Sequence, residues 1–154
     1  MAGSTGLKFG QHIIPASTTF LRTSLSFALV NIKPVVPGHV LVCPIRLVER
    51  VKQLKTEEVS DLFITAQRVS TVVVSCFKAS SVSIVVQDGR EAGQSVPHVH
   101  IHILPRILGD FLNNDDIYQE LQRHDKDLLE SQHRTIYEME REAALLKPMF
   151  HSDS

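Results

Sequence analysis

The sequence is short of most features that announce a specialised class. It has no tryptophan, and its two cysteines, Cys43 and Cys76, each sit in an apolar run, where buried thiols are expected and a disulfide or redox pair is not. That usage points to an intracellular setting, read as cytoplasmic, with nucleus or mitochondrion as further options. No apolar run approaches the roughly 18 residues of a membrane-spanning helix, so no membrane partner is expected. An excess of one charge is missing too: 16 Lys and Arg stand against 17 Asp and Glu, a net charge of -1. A nucleic-acid backbone would call for a basic footprint, and none is visible. Internal repeats and low-complexity tracts are absent.

What is present is enough apolar residue, 43% of the chain, to build one core, and about 150 residues is an ordinary single-domain length. Residues 1–8 read as a disordered lead-in, 9–147 as a single domain and 148–154 as a flexible tail. The most unusual local feature is Pro97-His98-Val99-His100-Ile101-His102-Ile103-Leu104-Pro105, which puts three of the eight histidines within five positions. Side chains alternate across a strand, so a strand bracketed by the two prolines carries His98, His100 and His102 on one face. Val99, Ile101 and Ile103 fall on the other. The apolar face suits a core, whereas a row of imidazoles does not.

Around this stretch the pattern predicts α+β architecture with a mostly antiparallel sheet. Phe9 to Ile14 and Thr18 to Arg22 are strand-like. Leu25–Asn31 and His39–Ile45 read as a hairpin across the turn Lys33-Pro34-Val35-Val36-Pro37-Gly38. Pro44 to Lys55 is a connection with room for a short helix. One long helix is expected with Thr56 as N-cap, and Glu57 and Glu58 complement its dipole in the first turn. Its apolar stripe is Val59, Leu62, Phe63, Ala66, Val69 and Val73. Ser81–Gln87 is a third confident strand, Asp88–Val96 a loop, and helices are predicted near Asp116–Asp125 and Gln132–Leu146.

Three chemistries compete for the imidazole face. A metal is one, but same-face positions are about 6.5 Å apart and zinc needs each nitrogen at roughly 2 Å. One ion could take two neighbours plus a ligand from elsewhere, not all three without a sharp bend. A solvated face with no role is the second. The third is nucleophilic catalysis: a neutral imidazole held through one ring nitrogen can accept a phosphoryl or nucleotidyl group on the other. The preceding Gly93-Gln94-Ser95-Val96 offers backbone N–H groups, an amide and a hydroxyl for phosphate oxygens. On this reading His100, in the middle, attacks, His102 contacts phosphate or the leaving oxygen, and His98 supports.

The run Gly93-Gln94-Ser95-Val96-Pro97-His98-Val99-His100-Ile101-His102-Ile103-Leu104 resembles the signature of the histidine triad superfamily, in which three histidines alternate with apolar residues. Leu104-Pro105-Arg106 is similar to the fragile histidine triad branch. So are Phe9-Gly10-Gln11-His12, Leu25 to Asn31, Lys33 to Pro44 and Asp116 to Gln122. The resemblance runs from about Phe9 to Leu146 and is weaker beyond Leu128. It implies a dinucleoside polyphosphate hydrolase that cuts diadenosine triphosphate to AMP and ADP through a nucleotidyl-histidine. Nucleoside phosphoramidate or adenylyl sulfate hydrolysis is the alternative within the superfamily. His100 matches the nucleophile and His102 a substrate contact. Gln87, Gly93, Gln94, Ser95 and Val96 match substrate and phosphate contacts, Asn31 a ribose contact and His12 a nucleotide contact. His39 and His98 match supporting histidines. The resemblance further implies a homodimer with one continuous sheet and Mg2+ or Mn2+ arriving with the polyphosphate rather than caged by protein; a nucleotide-binding signalling module, with the occupied complex as its output, is the reading from another function class. Ser95 stands where threonine is usual and keeps the hydroxyl. Tyr118 lies among Asp115, Asp116 and Glu120, an acidic setting that some tyrosine kinases favour.

Overall fold

A computed structural model describes residues 7–126 and 133–153. The sheet grows from β-branched and aromatic runs whose neighbours leave them no water. β3 (Thr19–Arg22), β4 (Ser26–Val30), β5 (Val40–Pro44), β6 (Ser81–Val86) and β7 (Ile101–Arg106) form one antiparallel sheet in the order β3-β4-β5-β7-β6. Every residue of the three central strands is buried, whereas β6 lies on an edge with exposed and half-buried residues. A separate two-stranded hairpin, β1 (Leu7–Phe9) and β2 (His12–Ile14), precedes them. The architecture is the α+β expected.

Strand alternation sorts the sheet into two faces. Ala28, Val30, Val40, Val42, Ile101 and Ile103 share one core with Leu62, Ala66, Val69 and Val73 of α1 (Thr56–Cys76) and with Ala143 and Leu146 of α3 (Ile136–Leu146). Phe27, Leu29, Leu41 and Cys43 point the other way, where Leu7, Phe9 and Ile14 of the hairpin cover them. Further along that face Leu104 packs with Val36 and with Ile117 and Leu121 of α2 (Asp116–Lys126). His102 is paired with Leu41 across β5 and β7. It lies between these two patches, on the face away from α1.

Several boundaries differ from the sequence reading. Lys55, not Thr56, caps α1, and the helix depends on Glu58, whose carboxylate accepts the Lys55 N–H at 2.8 Å. Phe63 lies outside the buried stripe at 43% exposure. α3 begins at Ile136 because Thr135 and Glu138 form a reciprocal capping box; the expected start at Gln132 lies outside the described residues, as does Met1 to Gly6. Leu7 and Lys8, inside the stretch expected as lead-in, belong to β1. At the other end Phe150, inside the stretch expected as a flexible tail, is 7% exposed, stacks on Phe20 and sits under Arg68.

The histidine stretch also departs from a simple strand. The ladder begins at Ile101, so of the three histidines only His102 is in β7. Upstream, the Val99 N–H turns to the Val48 carbonyl at 2.7 Å and the His98 N–H to the Val96 carbonyl at 2.8 Å. Those bonds take the place of ladder partners. The alternation itself persists, since Val99, Ile101 and Ile103 all join the core facing α1. Pro105 lies within β7 rather than ending it. There β7 pairs only with β6, through Val82, so one side of the strand needs no donor.

Candidate active site

Three chain segments converge on the imidazoles: the 98–102 stretch, the turn before β5, and the β1–β2 hairpin. His98 is completely buried. Its Nδ1 accepts the Gly10 N–H at 2.9 Å, so its Nε2 carries the proton and donates to the Pro44 carbonyl at 2.9 Å. The ring is therefore neutral, and burial holds its pKa below the usual histidine value. His98 ties the hairpin to the end of β5 and has no nitrogen left for chemistry.

His100 is held differently. Its Nδ1 lies 2.7 Å from the His98 carbonyl oxygen, which can only accept, so Nδ1 donates. The lone pair of the neutral ring is then on Nε2. The edge of the ring meets Phe9 at 4.9 Å between centroids and 84°, and this aromatic wall restricts rotation.

The same reasoning fixes the third ring. The Val35 N–H donates to His39 Nδ1 at 3.0 Å, which leaves the His39 proton on Nε2, directed to His102 Nδ1 at 3.0 Å. His102 therefore carries its own proton on Nε2, a donor beside His100, with 5.0 Å between the His100 and His102 ring centroids. A chain of bonds from the Val35 backbone through His39 thus sets the tautomer of His102. Among the described residues no group of three or more His, Cys, Asp or Glu could hold a metal ion, and both nitrogens of His98 are already bonded.

The loop beyond β6 supplies a second wall. Gln87 is buried at 9% exposure, and its Oε1 has no hydrogen-bond partner among the described residues, an acceptor left for something else. Gly93 has φ +100°, which favours glycine, and a Cβ there would lie 2.5 Å from Gln87 Nε2 and displace that amide. Gln94 behaves otherwise than expected. Its Oε1 accepts the Gly89 N–H at 2.7 Å, and its Nε2 donates to the Glu49 and Val96 carbonyls at 2.9 and 3.0 Å. Its side chain shapes the loop instead of facing a ligand. Val96 packs against Gly10, where a Cβ would come within 2.7 Å of it, and Ser95 is exposed.

Asn31 follows β4 and is 4% exposed; its Oδ1 accepts the Lys33 N–H at 2.9 Å, and its Nδ2 lies 3.3 Å from His39 Nε2. It adjoins the His39–His102 pair. His12 is not gathered in: it is exposed on β2, opposite Phe9 across the hairpin, and belongs at most to the rim. Tyr118 is 51% exposed on α2.

A family model described as HIT domain matches residues 14–107. The chain belongs to the histidine triad (HIT) family. This HIT protein is 51% identical over 142 residues to a bis(5'-adenosyl)-triphosphatase of Dictyostelium discoideum, covering 92% of this chain and 91% of that one. It is 46% identical to a bifunctional bis(5'-adenosyl)-triphosphatase/adenylylsulfatase of Arabidopsis thaliana, over 92% of this chain and 83% of the relative. Among solved structures it is similar to the diadenosine triphosphate hydrolase of Plasmodium falciparum, crystallised with cyclomarin A. The TM-score is 0.78 at 32% identity, covering 95% of this chain and 84% of that one. It also matches the NitFhit protein of C. elegans (TM-score 0.79, 41% identity), covering 95% of this chain but 30% of that larger one. These matches place the HIT protein in the fragile histidine triad branch.

Sequence reasoning missed three contributors to the site. Phe9 was legible only as part of an apolar segment, although it walls His100. The Gly10 N–H and the Pro44 carbonyl act through main-chain atoms, which no residue type announces.

Proposed function

We propose that this protein hydrolyses dinucleoside polyphosphates, diadenosine triphosphate foremost, to AMP and ADP through a nucleotidyl intermediate on His100. The observation that carries the reading is the bond from His100 Nδ1 to the His98 carbonyl, which places the lone pair of the neutral ring on Nε2. Nε2 forms a bond to the α-phosphorus. The bond from that phosphorus to the bridging oxygen breaks, and ADP departs with the electron pair. Nε2–H of His102 donates to a phosphate oxygen as charge builds. Water then attacks the phosphorus, the P–N bond breaks and returns its electron pair to His100 Nε2, and AMP leaves as the water's surplus proton passes to solvent. Gln87 and the Ser95–Val96 backbone hold the phosphates, while the Gly93 and Gln94 N–H groups donate to the Arg90 and Gly89 carbonyls at 2.9 and 3.0 Å and so set the shape of the loop, and Asn31 meets a ribose hydroxyl. Gln94 serves by shaping the loop, and His12 acts from the rim. The names of the relatives support the substrate class.

The second reading is adenylyl sulfate hydrolysis, favoured by the bifunctional Arabidopsis relative; phosphoramidate hydrolysis shares the same AMP half. Mg2+ or Mn2+ is proposed to enter on the polyphosphate and to neutralise its charge, since the described residues offer no three-ligand group. A homodimer with one continuous sheet is proposed across β6. That strand is an open edge with Ile84 48% exposed, and Phe63 and Ile64 of α1 are 43% and 57% exposed. A substrate-bound form that signals to protein partners, in a cytoplasmic, nuclear or mitochondrial setting, completes the proposal. No helix among the described residues is long and apolar enough to cross a membrane.

The test is product analysis with diadenosine triphosphate, diadenosine tetraphosphate, an adenosine phosphoramidate and adenylyl sulfate side by side. AMP and ADP from the triphosphate, at the highest kcat/KM of the four, is the expected result. Turnover of adenylyl sulfate or the phosphoramidate alone would overturn it in favour of the second reading.

A further inference from the structure

Arg134 stands far from the triad in sequence, just before α3, yet its hydrogen bonds go to the end of β4. Its guanidinium donates from Nε at 3.1 Å and from Nη2 at 2.5 Å to the Asn31 carbonyl oxygen, and its own N–H donates to the Ile32 carbonyl at 2.8 Å. The same Nη2 pairs with Glu142 of α3 at 2.8 Å, and both side chains are mostly buried, at 20% and 14% exposure. A fork of two donors on one carbonyl fixes a peptide plane more tightly than a single bond does.

The position of that peptide is what gives the clamp its meaning. β4 ends at Val30, so Asn31 leaves the ladder with a buried carbonyl, and such a group has to find another donor. Arg134 supplies two. On the other side of the same residue, the Asn31 side chain lies beside His39, which fixes His102. The peptide that Arg134 grips therefore carries an amide side chain that adjoins the His39–His102 pair. Glu142 holds the guanidinium from behind, so α3 backs the nucleoside side of the site without touching it.

We propose that Arg134 is a positioning residue for nucleoside recognition, which fixes the Asn31 peptide so that the Asn31 amide meets a ribose hydroxyl of the substrate. This rests on the reading of Asn31 as the ribose contact. The charged donors act through the backbone, so the dependence is on Arg134 itself rather than on any contact between Arg134 and substrate. A misplaced amide weakens ground state and transition state alike, and KM should rise with kcat little changed.

The test compares the full-length protein with Arg134→Gln, Arg134→Lys and Asn31→Ala on two substrates: diadenosine triphosphate and its analogue lacking all 2'- and 3'-hydroxyls. Arg134→Gln should lose about tenfold in kcat/KM on the ribose substrate, mostly through KM, and less than about twofold on the deoxygenated one. Arg134→Lys keeps the charge, supplies fewer directed donors, and should fall between. An equal loss on both substrates would make Arg134 a fold-stabilising residue only and overturn the proposal, as would no loss on either. If Asn31→Ala discriminates between the substrates and neither Arg134 variant does, the positioning role alone fails. If Asn31→Ala does not discriminate, the ribose reading falls and takes the proposal with it. Should Arg134→Gln not fold, the Arg134→Lys pair of measurements decides by the same ratio.

Discussion

His39 Nε2 lies 3.0 Å from His102 Nδ1, and the Val35 N–H on the far side of His39 gives that contact a direction. The pair behaves as one unit whose outer end is the His102 Nε2 proton. Replacing His39 by Ala removes the acceptor of a backbone N–H and the donor to His102 in one step. The expected result is a fall in kcat/KM of about tenfold to a hundredfold and a displaced pH–rate profile, because His102 is free to take the other tautomer. Measuring kcat/KM from pH 5 to 9 decides it, and an unchanged profile would show that His39 does not control His102.

His100→Asn retains a polar side chain of smaller size and removes the nucleophilic nitrogen. Turnover should fall by several orders of magnitude while substrate binding survives within about tenfold. Equilibrium binding of a non-hydrolysed analogue, beside single-turnover hydrolysis, separates the two. Near wild-type turnover would rule out a covalent step at this residue.

Gly93→Ala puts a methyl group 2.5 Å from Gln87 Nε2, at a backbone φ of +100°. A destabilisation of about 1–3 kcal/mol and at least a tenfold loss of activity are expected. The two residues share one volume, so the effects of Gly93→Ala and Gln87→Ala should not add. Melting curves and kinetics of the single and double variants test this, and strict additivity would mean that Gln87 has another place to go.

Glu58 is 4% exposed and accepts two bonds from Arg46, at 2.9 and 2.8 Å, together with the Lys55 N–H. The Arg46 bonds and burial act in opposition, the bonds win, and the carboxyl is pulled down to about 2. A folded-state pKa below the unfolded value means that the unfolded chain binds more protons. The stabilisation is therefore complete above about pH 4.5 and is lost as pH falls toward 2. It amounts to less than about 3 kcal/mol, since Arg46 is 45% exposed and solvent screens it. Glu58→Gln should lower stability near neutrality and flatten its dependence on pH across that acid range. Urea midpoints between pH 2 and 7 provide the measurement, and parallel curves for the two proteins would contradict it.

The parts of this molecule that repeat with a period were legible in advance. Val99, Ile101 and Ile103 declared a buried strand face, and Leu62, Ala66, Val69 and Val73 a buried helix stripe. Burial of a periodic face is local information. The roles of Asn31 and His39 came instead through family resemblance, because a lone asparagine or histidine at a strand end looks like ordinary turn chemistry. What stayed hidden depended on contacts distant in sequence. The Gly10 bond to His98 spans 88 positions and the Arg134 bonds to Asn31 span 103, and no pattern within a window of residues encodes either. Gln94 misled for a related reason: an amide next to a phosphate loop suits a ligand, but the carbonyls of Glu49 and Val96 reach it first.

The partners that set the protonation of His98 and His100 are the Gly10 amide, the Pro44 carbonyl and the His98 carbonyl. All three are peptide groups, common to almost any residue that could stand there. The tautomers of His98 and His100 are thus inherited from the path of the chain, while the Phe9 side chain limits rotation of the His100 ring. Substitution of neighbouring side chains can reshape the pocket while His100 keeps its lone pair on Nε2.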